Sequence, residues 1–83
     1  MAINLEIADG WKLFGAGSDH GVPVSLRAEP PERLRDVIVP AGELTGTVQL
    51  RATLDDAATR LWLRYQLCGG PLCHPPAEVE LPV

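Results

Sequence analysis

The chain reads as an all-β domain: short antiparallel strands closing into a sandwich or barrel. Three observations predict it. Apolar residues recur with a period of two through most of the chain. Gly-, Pro- and Asp-rich punctuation separates the runs. No stretch carries a helical period long enough to form a structural layer.

The elements follow in order. Ile3, Leu5 and Ile7 alternate with Asn4 and Glu6, so one face enters a core and the other meets water. Asp9-Gly10 breaks the run. Gly15-Ala16-Gly17-Ser18 is a second break, and because a strand follows it rather than a helix, it lacks the context of a nucleotide-binding glycine loop. Val22, Val24 and Leu26 alternate with Pro23, Ser25 and Arg27. Pro30 to Asp36 is the one helix-like stretch. Proline at a first turn followed by Glu32 and Arg33 predicts a single turn. After Pro40-Ala41-Gly42 come Val48, Leu50, Ala52 and Leu54, alternating with Gln49, Arg51 and Thr53. Asp55-Asp56 reads as a turn, not as paired catalytic carboxylates. Leu61, Leu63, Tyr65 and Leu67 then alternate with Trp62, Arg64 and Gln66. Large groups on both faces predict a central strand, with Trp62 a packing residue. The last run is Val79, Leu81 and Val83.

The 83 residues predict one domain, of a size that is marginal without added support. A hydrophobic fraction of 46% argues against disorder. A formal charge of -4 provides no basic footprint, so nucleic acid is not expected as a partner. No apolar run approaches the roughly 20 residues of a membrane-spanning helix, so direct membrane insertion is not expected. Met1 to Glu6 has neither a basic region nor an apolar stretch of signal-peptide type, and the chain reads as a domain excised from a larger protein.

The chemistry concentrates at Cys68-Gly-Gly-Pro-Leu-Cys73, followed by His74-Pro75-Pro76. These are the only two cysteines, and they are expected at a hairpin tip between the last two strands. The spacing leaves three readings. As a staple, a loop of about six residues contributes roughly 2 kcal/mol. As a redox pair, a bridge at an exposed tip is open to a partner's thiolate, and its reduction leaves the fold standing. Gly69 and Gly70 keep bulk away from it. A protonated His74 beside Cys73 would lower its thiol pKa. As a metal site, Cys68, Cys73, His74 and His20 are the soft set, and adjacent Cys73 and His74 point to opposite faces of a strand. No metal or other cofactor is expected. The pair is not of thioredoxin type, because no helix begins at the second cysteine.

Leu61-Trp-Leu-Arg-Tyr65-Gln66-Leu67-Cys68 and Cys73-His-Pro-Pro76 resemble the Tyr-Gln-x-Cys and Cys-x-Pro-Pro signature of the amino-terminal domain of the bacterial thiol:disulfide interchange protein DsbD. Asp9-Gly10-Trp11-Lys12-Leu13-Phe14 and Gly21-Val22-Pro23-Val24 are similar to two upstream strands of that family. The resemblance implies an immunoglobulin-like sandwich of about seven strands, in the periplasm or elsewhere outside the cytoplasm. It implies a protein-disulfide reductase domain. Its Cys68 and Cys73 would take electrons from a thioredoxin-like protein or domain and pass them to oxidised protein substrates. Cys73 would form the mixed disulfide, and Tyr65 and Gln66 would shape the approach. The family's aromatic cap loop has no counterpart in Val37 to Leu44. Trp11, Phe14 or a neighbouring domain are left to shield the bridge. The reading from another class is a non-catalytic interaction module with a structural disulfide.

Overall fold

Burial that alternates along the strands closes the chain into a sandwich. The computed structural model of the protein describes residues 1–82. Ten strands form among them: β1 (Ala2–Glu6), β2 (Leu13–Phe14), β3 (Ser25–Glu29), β4 (Leu34–Ile38), β5 (Glu43–Leu44), β6 (Thr47–Leu54), β7 (Arg60–Tyr65), β8 (Cys68–Gly69), β9 (Leu72–Cys73) and β10 (Ala77–Leu81). Two three-stranded antiparallel sheets, β1-β6-β4 and β10-β7-β3, make the main layers. Two small ladders, β2-β5 and β8-β9, complete the fold. The expected all-β sandwich is therefore present, with more and shorter strands than the expected seven because these small ladders add to the count.

The core lies where the inner faces of β6 and β7 meet. Val48, Leu50 and Ala52 from β6 and Leu61 and Leu63 from β7 are buried, joined by Leu13, Val24 and Leu44. Leu50 is 0% and Leu61 1% exposed. Burying one such side chain stabilises by about 1.5–3 kcal/mol. Both β6 and β7 are central strands, which is why their inner residues are covered from two sides as well as from above.

Trp62 occupies the outer face of β7. The Arg27 guanidinium sits 4.0 Å from its ring centroid and also donates to Glu78 Oε1 at 2.9 Å. What covers Trp62 on this outer face is thus a cation on its aromatic ring.

The expected single turn is present as a 3-10 turn over Pro31–Arg33 that runs directly into β4. Two other segments differ from expectation. The β4 strand carries a bulge between Arg35 and Ile38, with Asp36 at φ 55°. That bulge destroys the period of two and hides the strand in the sequence. The run expected from Val22 becomes regular strand only at Ser25. Pro23 has no N–H for a ladder and makes just an isolated bridge with Phe14. Of the last expected run, Val79 and Leu81 lie in β10, and Val83 falls outside the described residues.

The turn from β6 to β7 is closed by Asp55. Its Oδ1 accepts from the Ala57 N–H at 2.8 Å, and Arg33 donates to its Oδ2 at 3.1 Å. The Ala57 bond, ahead of the Arg33 bond and charge, holds this carboxyl below the usual carboxylate range.

Candidate redox site: the Cys68–Cys73 hairpin

After β7 the chain leaves the sheet through Gln66 and Leu67 and folds back at Gly70-Pro71. Gly70 has φ 54° at the first central position of a two-residue turn, the place that favours glycine in a hairpin of this type. Cys68 pairs with Cys73 across β8-β9, and the two are joined in a disulfide with their Cα atoms 4.1 Å apart.

A third segment completes the ladder. The Lys12 N–H donates to the Cys68 carbonyl at 2.7 Å, and the Cys68 N–H donates to the Lys12 carbonyl at 3.0 Å. Both main-chain groups of Cys68 are therefore spent on Lys12. The Cys68–Cys73 pair is accordingly of the non-hydrogen-bonded kind, in which side chains stand closest, as a disulfide requires. The next pair out is bonded instead: the His74 N–H donates to the Leu67 carbonyl at 2.9 Å.

The two cysteines differ in surroundings. Cys68 is central in the ladder and 0% exposed. Cys73 is on the outer strand and exposed. Main-chain pairing accounts for the difference, since Lys12 flanks one and nothing among the described strands flanks the other.

The Gln66 carboxamide ties the base of the hairpin to the sandwich. Its Oε1 accepts from the Val22 N–H at 2.9 Å, and its Nε2 donates to the His74 carbonyl at 3.2 Å. Tyr65 pairs with Ala77 and packs its ring against the core. His74 is exposed and stacks at 5.3 Å, ring centroid to centroid, on Trp11. Trp11 also covers Gly69, where a Cβ would stand 2.8 Å from the indole ring. Of the two aromatics left to shield the bridge, Trp11 borders the hairpin, whereas Phe14 is 3% exposed within the fold.

Trp11 separates two open grooves. One, of about 450 Å³, is lined by Leu5, Ile7, Leu63, Tyr65 and Leu67. The other, of about 460 Å³, runs from Ile7 to Lys12 and reaches Cys68 and Gly70. Lys12, to which the sequence reading assigns no role, donates to Glu43 at 2.9 Å and holds the Glu43 carboxyl below its usual range. The structure thus brings Cys68, Cys73, Gln66 and His74 together at one end, with Tyr65 one step inward. The sequence signal that would reveal Lys12 is weak: it is a polar residue between Trp11 and the two-residue strand β2, paired with Cys68 only by an isolated bridge. Among the described residues no group of three or more His, Cys, Asp or Glu side chains converges as metal ligands would.

Comparison with known proteins adds no relative: no family model, curated protein or solved structure matches the chain.

Proposed function

We propose that this domain is a thiol–disulfide exchange module, working outside the cytoplasm between a thioredoxin-like donor and oxidised protein substrates. The observation that carries the reading is the asymmetry of the pair: Cys73 exposed on an outer strand, Cys68 buried behind it. Exchange needs one sulfur open to attack and a second that leaves and later resolves. In the reductive half, a donor thiolate attacks Cys73 Sγ and forms a mixed disulfide. Cys68 departs as a thiolate and takes up a proton. The donor's second thiolate then attacks the donor sulfur of that bond. The donor becomes a disulfide, and the domain a dithiol. In the second half, the Cys73 thiolate attacks a substrate disulfide. The Cys68 thiolate then attacks Cys73 Sγ, restoring the bridge and releasing the reduced substrate.

The main-chain ladder and Gln66 bond the hairpin in addition to the disulfide, so on this reading both cysteines stay apposed when reduced. The test is the reduction potential against glutathione, paired with trapping. A Cys68→Ala variant should accumulate a mixed disulfide through Cys73, and Cys73→Ala should not. A potential well below about −300 mV, with no trapped adduct, would mark an inert bridge. That outcome would favour the second reading, an interaction module with a structural disulfide, which the full burial of Cys68 supports.

A further inference from the structure

We infer that the oxidised substrate, rather than the thioredoxin-like donor whose cysteines open a helix, docks as an added β-strand on the free edge of β9, with its cysteine opposite Cys73; this rests on the exchange reading above. In an antiparallel ladder, main-chain groups point alternately to one side and the other. Cys68 directs its N–H and carbonyl at Lys12. Toward β9 the bonding partner is Leu67, whose carbonyl takes the His74 N–H. Alternation then turns the N–H and carbonyl of Cys73 away from β8. No described strand lies on that side.

The edge is also limited in length. Pro71 and Pro75 stand two residues to either side of Cys73, and neither has an N–H to offer. Proline in this position blunts an edge against indiscriminate pairing. What remains is a single donor and acceptor couple, on the residue that carries the exposed sulfur. A strand can make its full pair of main-chain bonds only there, since each flanking proline offers a carbonyl and no N–H.

The chemistry of attack uses the same direction. A thiolate displaces a sulfur in line with the bond that breaks. Cys68, buried on the inner side, attacks Cys73 Sγ to resolve the mixed disulfide, so the substrate sulfur leaves on the side of Cys73 away from Cys68. A residue pairing with Cys73 through two main-chain bonds would have its Cα about 5.5 Å away and its side chain on the same face as Cys73 Sγ. That separation falls within the range a disulfide spans. The partner is therefore an extended, cysteine-bearing segment whose own N–H and carbonyl at the cysteine are free.

Short cysteine peptides test this on the intact oxidised domain. The rate of reduction by an extended peptide with one central cysteine is compared with that of the same peptide N-methylated at that cysteine. Methylation removes the donor to the Cys73 carbonyl and leaves the thiol. The expected result is a loss of about fivefold or more in rate. In addition, the Cys73 amide, fast to exchange with solvent in the free domain, should be protected in the mixed disulfide. Equal rates with an unprotected Cys73 amide would overturn strand addition and leave the exchange reading intact. Reaction with neither peptide, and none with a thioredoxin, would overturn both.

Discussion

The sandwich interior and the cysteine hairpin are held by different forces. Around Leu50 and Leu61, apolar burial supplies the stability, and the residues are nearly or completely shielded from water. In the hairpin, Leu72 is 61% exposed, and the holding contacts are main-chain bonds, the Gln66 carboxamide and one disulfide. The first kind of structure cannot be opened piecemeal. The second has main-chain and carboxamide bonds beside its covalent link, and on the proposed reading these keep its shape when the link opens. The interior and the hairpin lie side by side, joined through Lys12 and Gln66.

Damage to the interior should therefore have the largest effect. Leu50→Ala is expected to destabilise the domain by about 2–5 kcal/mol, read from urea unfolding. Reduction of the disulfide comes next, with an expected loss of about 2 kcal/mol and an unchanged far-ultraviolet dichroism spectrum. Global unfolding on reduction would erase the contrast between the two regions. Gln66→Met keeps the side chain's length and removes both hydrogen bonds. It should lower stability by about 1–2 kcal/mol and raise the rate at which dithiothreitol opens the bridge. A changed stability with an unchanged reduction rate would confine Gln66 to the sandwich. Gly69→Ala should push Trp11 off the hairpin, because the new Cβ would meet the indole at 2.8 Å. Its signature is a shifted Trp11 fluorescence in a Trp62→Phe background.

The smallest effect is electrostatic. The Asp55 carboxyl has a lowered pKa in the fold, from the Ala57 N–H first and Arg33 second. A lowered folded pKa means that its contribution is complete above the unfolded pKa and disappears as pH falls through the folded one. Asp55→Asn can retain the Ala57 bond and lose the Arg33 attraction. It should flatten part of the stability decline between about pH 5 and pH 2, without altering the disulfide's reduction rate.

Much of the sandwich was legible because β1, β6 and β7 keep strict alternation, and their inward residues form the core. The β4 strand was not, because Asp36 adopts φ 55° in a bulge and leaves Val37 and Ile38 exposed in succession. The β2-β5 ladder is two residues long, too short for any period to show. At the hairpin, the turn at Gly70-Pro71 and the closeness of the cysteines followed from residue types alone. Gln66 is expected to shape the approach to the pair, and the structure shows its carboxamide bonded to Val22 and His74. Val22 is 44 residues away in sequence, and no local pattern announces such a partner. Which sulfur is buried depends on the pairing of Cys68 with Lys12, another long-range contact without a local trace.

The Gln66 carboxamide has one further consequence. It joins the residue after Cys73 to a loop that precedes β3, so a pull on His74 reaches Val22 directly. If a protein is captured at Cys73 as proposed, part of any load it applies passes through His74 and Gln66 into the loop before β3, so Gln66 would act as a guy-rope between the hairpin and the sandwich.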